Sequence, residues 1–272
     1  MKTVIVAGSF NNIKSQDIRF LQEASKFGAV NVFLWSDSLF QQIECRSPEF
    51  PEEERQYFLE SVRYVQHVFL CDRQINQEEV PQIKRIKPEV WVVRESEDSP
   101  LTRQYCLLHG IQYSIVKESE LVVFPIIPFT KAFDPSRQKV IVTGSFDWLH
   151  TGHVRFFEET AELGDLYVVV GHDQNLRLLK GEGHPLFSED ERIYMVQSIR
   201  FVNQALISTG HGWMDAEPEI EKIKPDIYAV NEDGDVPEKR EFCREHGLKY
   251  VILRRKPKPG LKARQSTTLR GF

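Results

Sequence analysis

The chain repeats itself, and the repeat constrains its fold more tightly than any single motif. The segment VIVAGSFNNIKSQDIRFLQEASKFGAVNVFLWSD from Val4 lies without a gap on VIVTGSFDWLHTGHVRFFEETAELGDLYVVVGHD from Val140, an offset of 136. Val-Ile-Val, Gly-Ser-Phe, Arg-Phe and the closing Asp coincide. FPEEERQYFLESVRYV from Phe50 matches FSEDERIYMVQSIRFV from Phe187 at an offset of 137. At that same offset IKPEVWVVRESED from Ile86 matches IKPDIYAVNEDGD from Ile223, and CLLHGIQY from Cys106 matches CREHGLKY from Cys243. One residue was therefore gained or lost between Asp37 and Phe50. A register held over about a hundred residues marks a tandem duplication. The 272 residues suit two domains. The boundary is expected in the proline-bearing stretch 125–137, giving domains 1–130 and 137–272.

Each copy alternates strand and helix. In the second, 139–143 is a β-rich run entering a glycine turn. Phe156, Phe157, Thr160 and Leu163 then follow at helical spacing until Gly164. The run 166–171 is continuously apolar, as strands buried on both faces are. Ser188 with Glu191 forms a capping box for a helix expected to end near Arg200. Strands are expected at 202–207, 226–231 and 249–253, with a helix before Gly247. Such alternation predicts an α/β fold: two Rossmann-like domains, each a mostly parallel five-stranded sheet covered on both faces.

Composition excludes several classes. Lys and Arg number 35 against 40 Asp and Glu, a net charge of −5, which argues against a non-specific nucleic-acid coat or an anionic-membrane binder. The apolar run 121–129 is broken by Pro125 and Pro128 and is far short of the ~20 residues of a membrane helix. MKTVIVAGSF turns polar too soon for a secretory leader. Cys45, Cys71, Cys106 and Cys243 show no paired spacing. A cytoplasmic protein with reduced thiols is expected.

Chemistry concentrates where the first strand of copy two ends, in Gly144-Ser-Phe-Asp-Trp-Leu-His-Thr-Gly-His153. Ligands of doubly wound sheets sit at the carboxyl ends of strands, beside helix N-termini that can hold phosphate. His150 and His153 flank Gly152 at such a point. Two imidazoles there can donate hydrogen bonds to a phosphate whose charge grows during displacement. A metal pair or two surface histidines remain alternatives, although no third ligand recurs nearby at a suitable spacing.

This segment resembles the G-x-F-D-x-x-H-x-G-H signature of the cytidylyltransferase group of nucleotidyltransferases, which includes glycerol-phosphate and ethanolamine-phosphate cytidylyltransferases. Lys180-Gly181 followed by Glu191-Arg192, and Ser266-Thr267-Thr268 near the end, resemble further motifs of the group. The ethanolamine-phosphate enzymes are similar in being tandem duplications. The resemblance implies attack by a phosphorylated acceptor on the α-phosphorus of a nucleoside triphosphate, with pyrophosphate leaving. It implies His150, His153, Lys180 and Arg192 as catalytic residues. Gly144, Ser145, Phe146, Asp147, Gly152, Asn231, Asp233, Ser266, Thr267 and Thr268 would bind the nucleotide. His211, Trp213 and Asp235 are candidates for the acceptor; for Trp213 the competing reading is a buried loop anchor. Mg²⁺ is expected to ride on the phosphates, with no metal site built by the protein. The run from Arg254 to Arg270 carries seven basic residues and no acidic one, which suits a triphosphate.

Copy one differs at these points. Lys14, Ser15, Gln16 and Asp17 stand where copy two has His150, Thr151, Gly152 and His153, and Asn11 replaces Asp147. An Asp at that helix start repels phosphate. Copy one is therefore expected to be a degenerate, non-catalytic domain, pairing with copy two as an intramolecular pseudo-dimer; a homodimer is also open. Arg192 has a counterpart in Arg55, so helix packing competes with catalysis at that position. CTP is the first expectation for the nucleotide, with an alcohol or sugar phosphate as acceptor. The same tail also resembles adenylyltransferases, so ATP is the alternative, and a non-catalytic nucleotide-binding module is the third reading. No nucleic-acid or membrane partner is expected.

Overall fold

The computed structural model describes residues 1–72, 86–127, 135–254, 256–264 and Leu269. It divides into two compact units, 1–124 and 125–272. In the first, β1 (Thr3–Gly8), α1 (Ser15–Ser25), β2 (Ala29–Trp35), α2 (Asp37–Glu44), α3 (Glu52–Ser61) and β3 (Val65–Cys71) precede β4 (Val90–Arg94), α4 (Pro100–His109), β5 (Gln112–Val116) and α5 (Glu118–Leu121). The second runs β6 (Lys139–Gly144), α6 (Thr151–Leu163), β7 (Asp165–Val170), α7 (Asp173–Lys180), α8 (Glu189–Gln197) and β8 (Val202–Ile207). It finishes with α9 (Glu217–Ile223), β9 (Ile227–Asn231), α10 (Pro237–Glu245) and β10 (Lys249–Leu253).

Both sheets are parallel and have the same order, β3-β2-β1-β4-β5 and β8-β7-β6-β9-β10. The chain winds outward from β1 or β6 in one direction and then returns to the other side. A topological switch point therefore lies between β1 and β4, and another between β6 and β9, at the carboxyl ends where such sheets take ligands. The central strands are sealed on both faces: Val4, Val6, Val30 and Val32 in one unit, and Val140, Val142, Val168 and Val170 in the other, have no exposed surface. β-branched side chains fit that doubly covered pleat.

The repeat extends to atomic detail. A Cβ on Gly28 would stand 2.1 Å from the Lys2 carbonyl oxygen, and one on Gly164 2.1 Å from that of Gln138. Only glycine lets the helix return so close to the first strand. The unmatched residue falls between α2 and α3, since α2 and α7 are both eight residues long. The Ser188 cap forms as expected, its Oγ accepting from the Glu191 N–H at 3.4 Å. The helix it opens stops at Gln197 rather than near Arg200. The Gln197 amide turns to bond the Ala205 N–H and the Asn203 carbonyl, closing the corner into β8.

Burial pushes the Cys71, Cys106 and Cys243 thiols up to about 11, while Cys45 is exposed. Among the described residues no helix is long and apolar enough to cross a membrane.

Candidate functional site

The turn after β6 is shaped before any ligand arrives. Phe146 takes a left-handed backbone, φ 46°, and so does its counterpart Phe10, φ 44°. This kink tucks the Phe146 ring under the loop, edge-on to His153 at 5.4 Å and 5.2 Å from Phe157. A Cβ on Gly144 would meet that ring at 3.0 Å. Gly144 and Phe146 thus shape the turn.

The turn delivers His150 as the N-cap of α6. Its Nδ1 accepts from the Gly152 N–H at 3.1 Å, and the His153 Nδ1 accepts from the His150 N–H at 3.4 Å. The two rings stack with centroids 4.0 Å apart and planes 30° from parallel. Because each Nδ1 is an acceptor, each neutral ring carries its proton on Nε2. The pair therefore holds two N–H donors at the start of a thirteen-residue helix, whose dipole also favours an anion. A Cβ on Gly152 would stand 2.8 Å from the His150 ring. The glycine is thus required first by the imidazole packed against it.

Beside this pair lies a cleft of about 700 Å³ at the switch point between β6 and β9. Gly152 and His153 form one wall, Asn231 and Asp233 leave the end of β9 on another, and Arg254, Lys256 and Arg264 arrive after β10. Lys180, last residue of α7, donates from Nζ to Ser145 Oγ at 2.8 Å in the same turn after β6. The structure thus brings His150, His153, Lys180, Ser145 and Gly152 to one turn, with Asn231 and Asp233 across the cleft. Ser266, Thr267 and Thr268 lie outside the described residues.

Three expected ligand contacts have other work, and the first unit reveals it. Arg192 is 1% exposed. It donates to the carbonyls of Phe187, Ser145 and Gly171 at 3.0, 2.7 and 2.8 Å and to Asp173 at 2.7 Å. Arg55 makes the corresponding bonds to Phe50, Ser9, Trp35 and Asp37. Arg192 therefore braces the turn from within, its guanidinium bonded to protein oxygens as that of Arg55 is. The Asp147 carboxylate accepts from the Leu186 and Phe187 N–H groups at 2.7 and 3.1 Å, and Asn11 does the same for Glu49 at 2.7 Å. Asp147 tethers the loop behind the site. Asp235, expected near the acceptor, is held by Arg240 at 2.8 Å and by the Tyr250 hydroxyl at 3.1 Å. Asp98 repeats this with Arg103 and Tyr113. Those bonds hold its carboxyl below the usual carboxylate range, the Arg240 contact most of all.

What differs between the units is the set of residues facing the clefts. In the first, Asp17 replaces His153, and its Oδ2 accepts from the Lys14 N–H at 2.7 Å. Its Oδ1 meets Arg94, the counterpart of Asn231, at 2.5 Å. The Arg94 guanidinium also lies 5.1 Å from the centre of the Phe20 ring. Burial raises the Asp17 carboxyl above its ordinary range, against the pull of Arg94. An ion pair stands in this smaller cleft, about 430 Å³, where the second unit has imidazole and amide.

The loop after β8 carries His211 and Trp213. Trp213 is 53% exposed rather than buried as an anchor, and its ring meets Phe242 edge-on at 6.4 Å. Sequence reasoning missed what holds this loop. His172 Nε2 bonds the Gly210 carbonyl at 2.9 Å, and the His172 and His211 rings are perpendicular at 5.3 Å. Asn175 bonds Gly212 twice. The signal was available, since the first unit has Ser36 and Leu39 at those positions.

Comparison with known proteins finds relatives of the second unit. The Cytidylyltransferase-like family matches residues 141–262, within the second unit. An FAD synthase of Ferroglobus placidus is 38% identical over 120 residues, covering 43% of this chain and 75% of the relative. That of Aciduliprofundum boonei is 40% identical over 121 residues, covering 43% and 78%. A crystal structure of the lipopolysaccharide core biosynthesis protein from Thermoplasma volcanium aligns with 29% identity and a TM-score of 0.38, over 45% of this chain and 99% of that one.

Proposed function

Because the chain belongs to the cytidylyltransferase-like family and is a nucleotidyltransferase, we propose that its second unit transfers an adenylyl group from ATP to a phosphate monoester. The acceptor phosphate attacks the α-phosphorus, its oxygen bonds to phosphorus, and the bond to the β-phosphate oxygen breaks to release pyrophosphate. That phosphate is already ionised at neutral pH, so the protein need supply no general base. Its work is alignment and charge stabilisation.

The observation that carries the reading is the stacked His150–His153 pair at the start of α6, with both Nδ1 atoms accepting from backbone N–H groups, beside a cleft lined by Arg155, Arg254, Lys256 and Arg264 together with Glu159, Glu232 and Asp233. In this scheme the imidazoles stabilise charge at the reacting phosphate. Lys180 leaves Ser145 for a phosphate oxygen, and Arg254, Lys256 and Arg264 hold the triphosphate. Mg²⁺ would ride on the nucleotide, where it neutralises phosphate charge.

FAD is AMP joined through its phosphate to that of flavin mononucleotide. The two relatives named FAD synthase thus favour ATP and flavin mononucleotide over the CTP and alcohol or sugar phosphate suggested by the motif resemblance. CTP remains a second reading, favoured by Gly144-Ser-Phe-Asp-Trp-Leu-His-Thr-Gly-His153. The test measures pyrophosphate release by the purified chain with ATP or CTP, each against flavin mononucleotide and glycerol 3-phosphate. ATP with flavin mononucleotide should be fastest. Faster turnover with CTP and glycerol 3-phosphate would restore the second reading, and no release from any combination would sink both.

A further inference from the structure

The cleft of the first unit keeps its place at the switch point between β1 and β4 and changes its chemistry. Lys14 and Asp17 line it where the second unit has His150 and His153, and Arg94 and Glu97 where that unit has Asn231 and Gly234. Four neutral positions of one unit are thus charged in the other, two of each sign. The braces beneath them are kept, as Arg55 and Asn11 show. Simple loss of the histidines would not call for such a set, because charges drawn out of water cost free energy. A ligand that uses them would.

Arg94 narrows what the cleft can hold. The Arg55 guanidinium is spent on three carbonyls and a carboxylate. Arg94 is spent far less: its Nη2 donates to Asp17 Oδ1 at 2.5 Å, and the Phe20 ring lies 5.1 Å away. Among the described residues that is its one hydrogen bond. A guanidinium has five N–H donors in a planar fork, so most of this one faces the cleft of about 430 Å³. Such a fork suits a carboxylate.

The acidic side sets the other half of the requirement. Desolvation raises the Asp17 and Glu97 carboxyls above their ordinary range, and at each the Arg94 charge is the largest opposing pull. One guanidinium serves two carboxylates and does not offset the desolvation of either. A positive group brought between them would. A phosphate carries no such group and meets two carboxylates, while a bare cation meets Arg94 and Lys14. A molecule bearing both signs close together satisfies both sides.

We propose that the cleft of the first unit binds a small zwitterion of the α-amino-acid class, its carboxylate on Arg94 and Lys14 and its ammonium between Asp17 and Glu97. The site lies within its own unit and does not rest on the reaction proposed for the second.

The test is thermal denaturation and calorimetry of the full chain with each of the twenty L-amino acids, against acetate and methylammonium at equal concentration. At least one amino acid should raise the denaturation midpoint and titrate at one per chain, with acetate and methylammonium inactive. Arg94→Gln should weaken that binding about tenfold or more, as loss of a hydrogen bond to a charged group does. Arg94→Lys keeps a charge beside Asp17 without the planar fork; it should weaken binding about fivefold or more, and it carries the test if Arg94→Gln does not fold. His153→Ala should leave the binding unchanged. Binding of none of the twenty, or undiminished binding by a folded Arg94 variant, would overturn the proposal. So would an acetate response equal to that of the amino acid, which needs no ammonium, or lost binding in His153→Ala, which would move the ligand to the second unit.

Discussion

At the scale of single residues, Arg192 and His150 look alike in a sequence and differ in kind in the folded chain. Both are polar, both are buried, at 1% and 4% exposure, and both adjoin the same turn. Arg192 bonds three carbonyls and one carboxylate of its own chain, whereas His150 accepts at Nδ1 from the Gly152 N–H and stacks on His153 at the start of α6. Their variants should therefore separate. Arg192→Met strips the carbonyls and Asp173 of their partner and should cost roughly 3–5 kcal/mol of stability, read as a lowered denaturation midpoint. His150→Ala or His153→Ala should keep the circular dichroism of the wild type and lose roughly 10² in turnover. A folded histidine variant with near-wild-type pyrophosphate release would contradict the assignment. The repeat gave a warning about Arg192, because Arg55 stands in a unit without the histidines. It gave the same warning through Asp98 for Asp235. For Arg192 the Arg55 counterpart already set helix packing against catalysis in the sequence, whereas Asp235 was read against the motif alone.

At the scale of elements, strand limits were the most legible part of the fold, because β-branched runs sealed on both faces leave an uninterrupted apolar signal. The strands 202–207 and 249–253 agree with β8 and β10 to the residue. Strand order was not legible, since β4 and β9 are placed by contacts distant in sequence. Helix ends depend on side-chain hydrogen bonds, as the Gln197 corner shows, and these leave no periodic trace. The start of α6 illustrates how function bends local preference. In a capping box the third helical residue reaches back to the N-cap N–H, and the first unit uses a carboxylate there, with Asp17 taking the Lys14 N–H at 2.7 Å. The second unit makes do with the His153 Nδ1 at 3.4 Å. His153→Asp should therefore strengthen the helix start by about 0.3–1 kcal/mol, as a carboxylate in the first turn does, while abolishing turnover, since a carboxylate repels phosphate. A lowered melting temperature in that variant would show that the imidazole stack contributes more than the cap.

For the whole molecule, we expect one nucleotide per chain. The Asp17–Arg94 pair stands where the second unit would hold phosphate, so calorimetry should give a stoichiometry near one, and a value near two would reveal a second phosphate site. The shared braces bear on how such a chain can change over time. Arg55 and Arg192, Asn11 and Asp147, and Asp98 and Asp235 secure the turns in both units, while the residues facing the clefts are a thin veneer laid over them. A lineage can strip or rewrite that veneer without endangering the folded state, so the first unit is free to drift toward a new ligand for as long as its struts are kept.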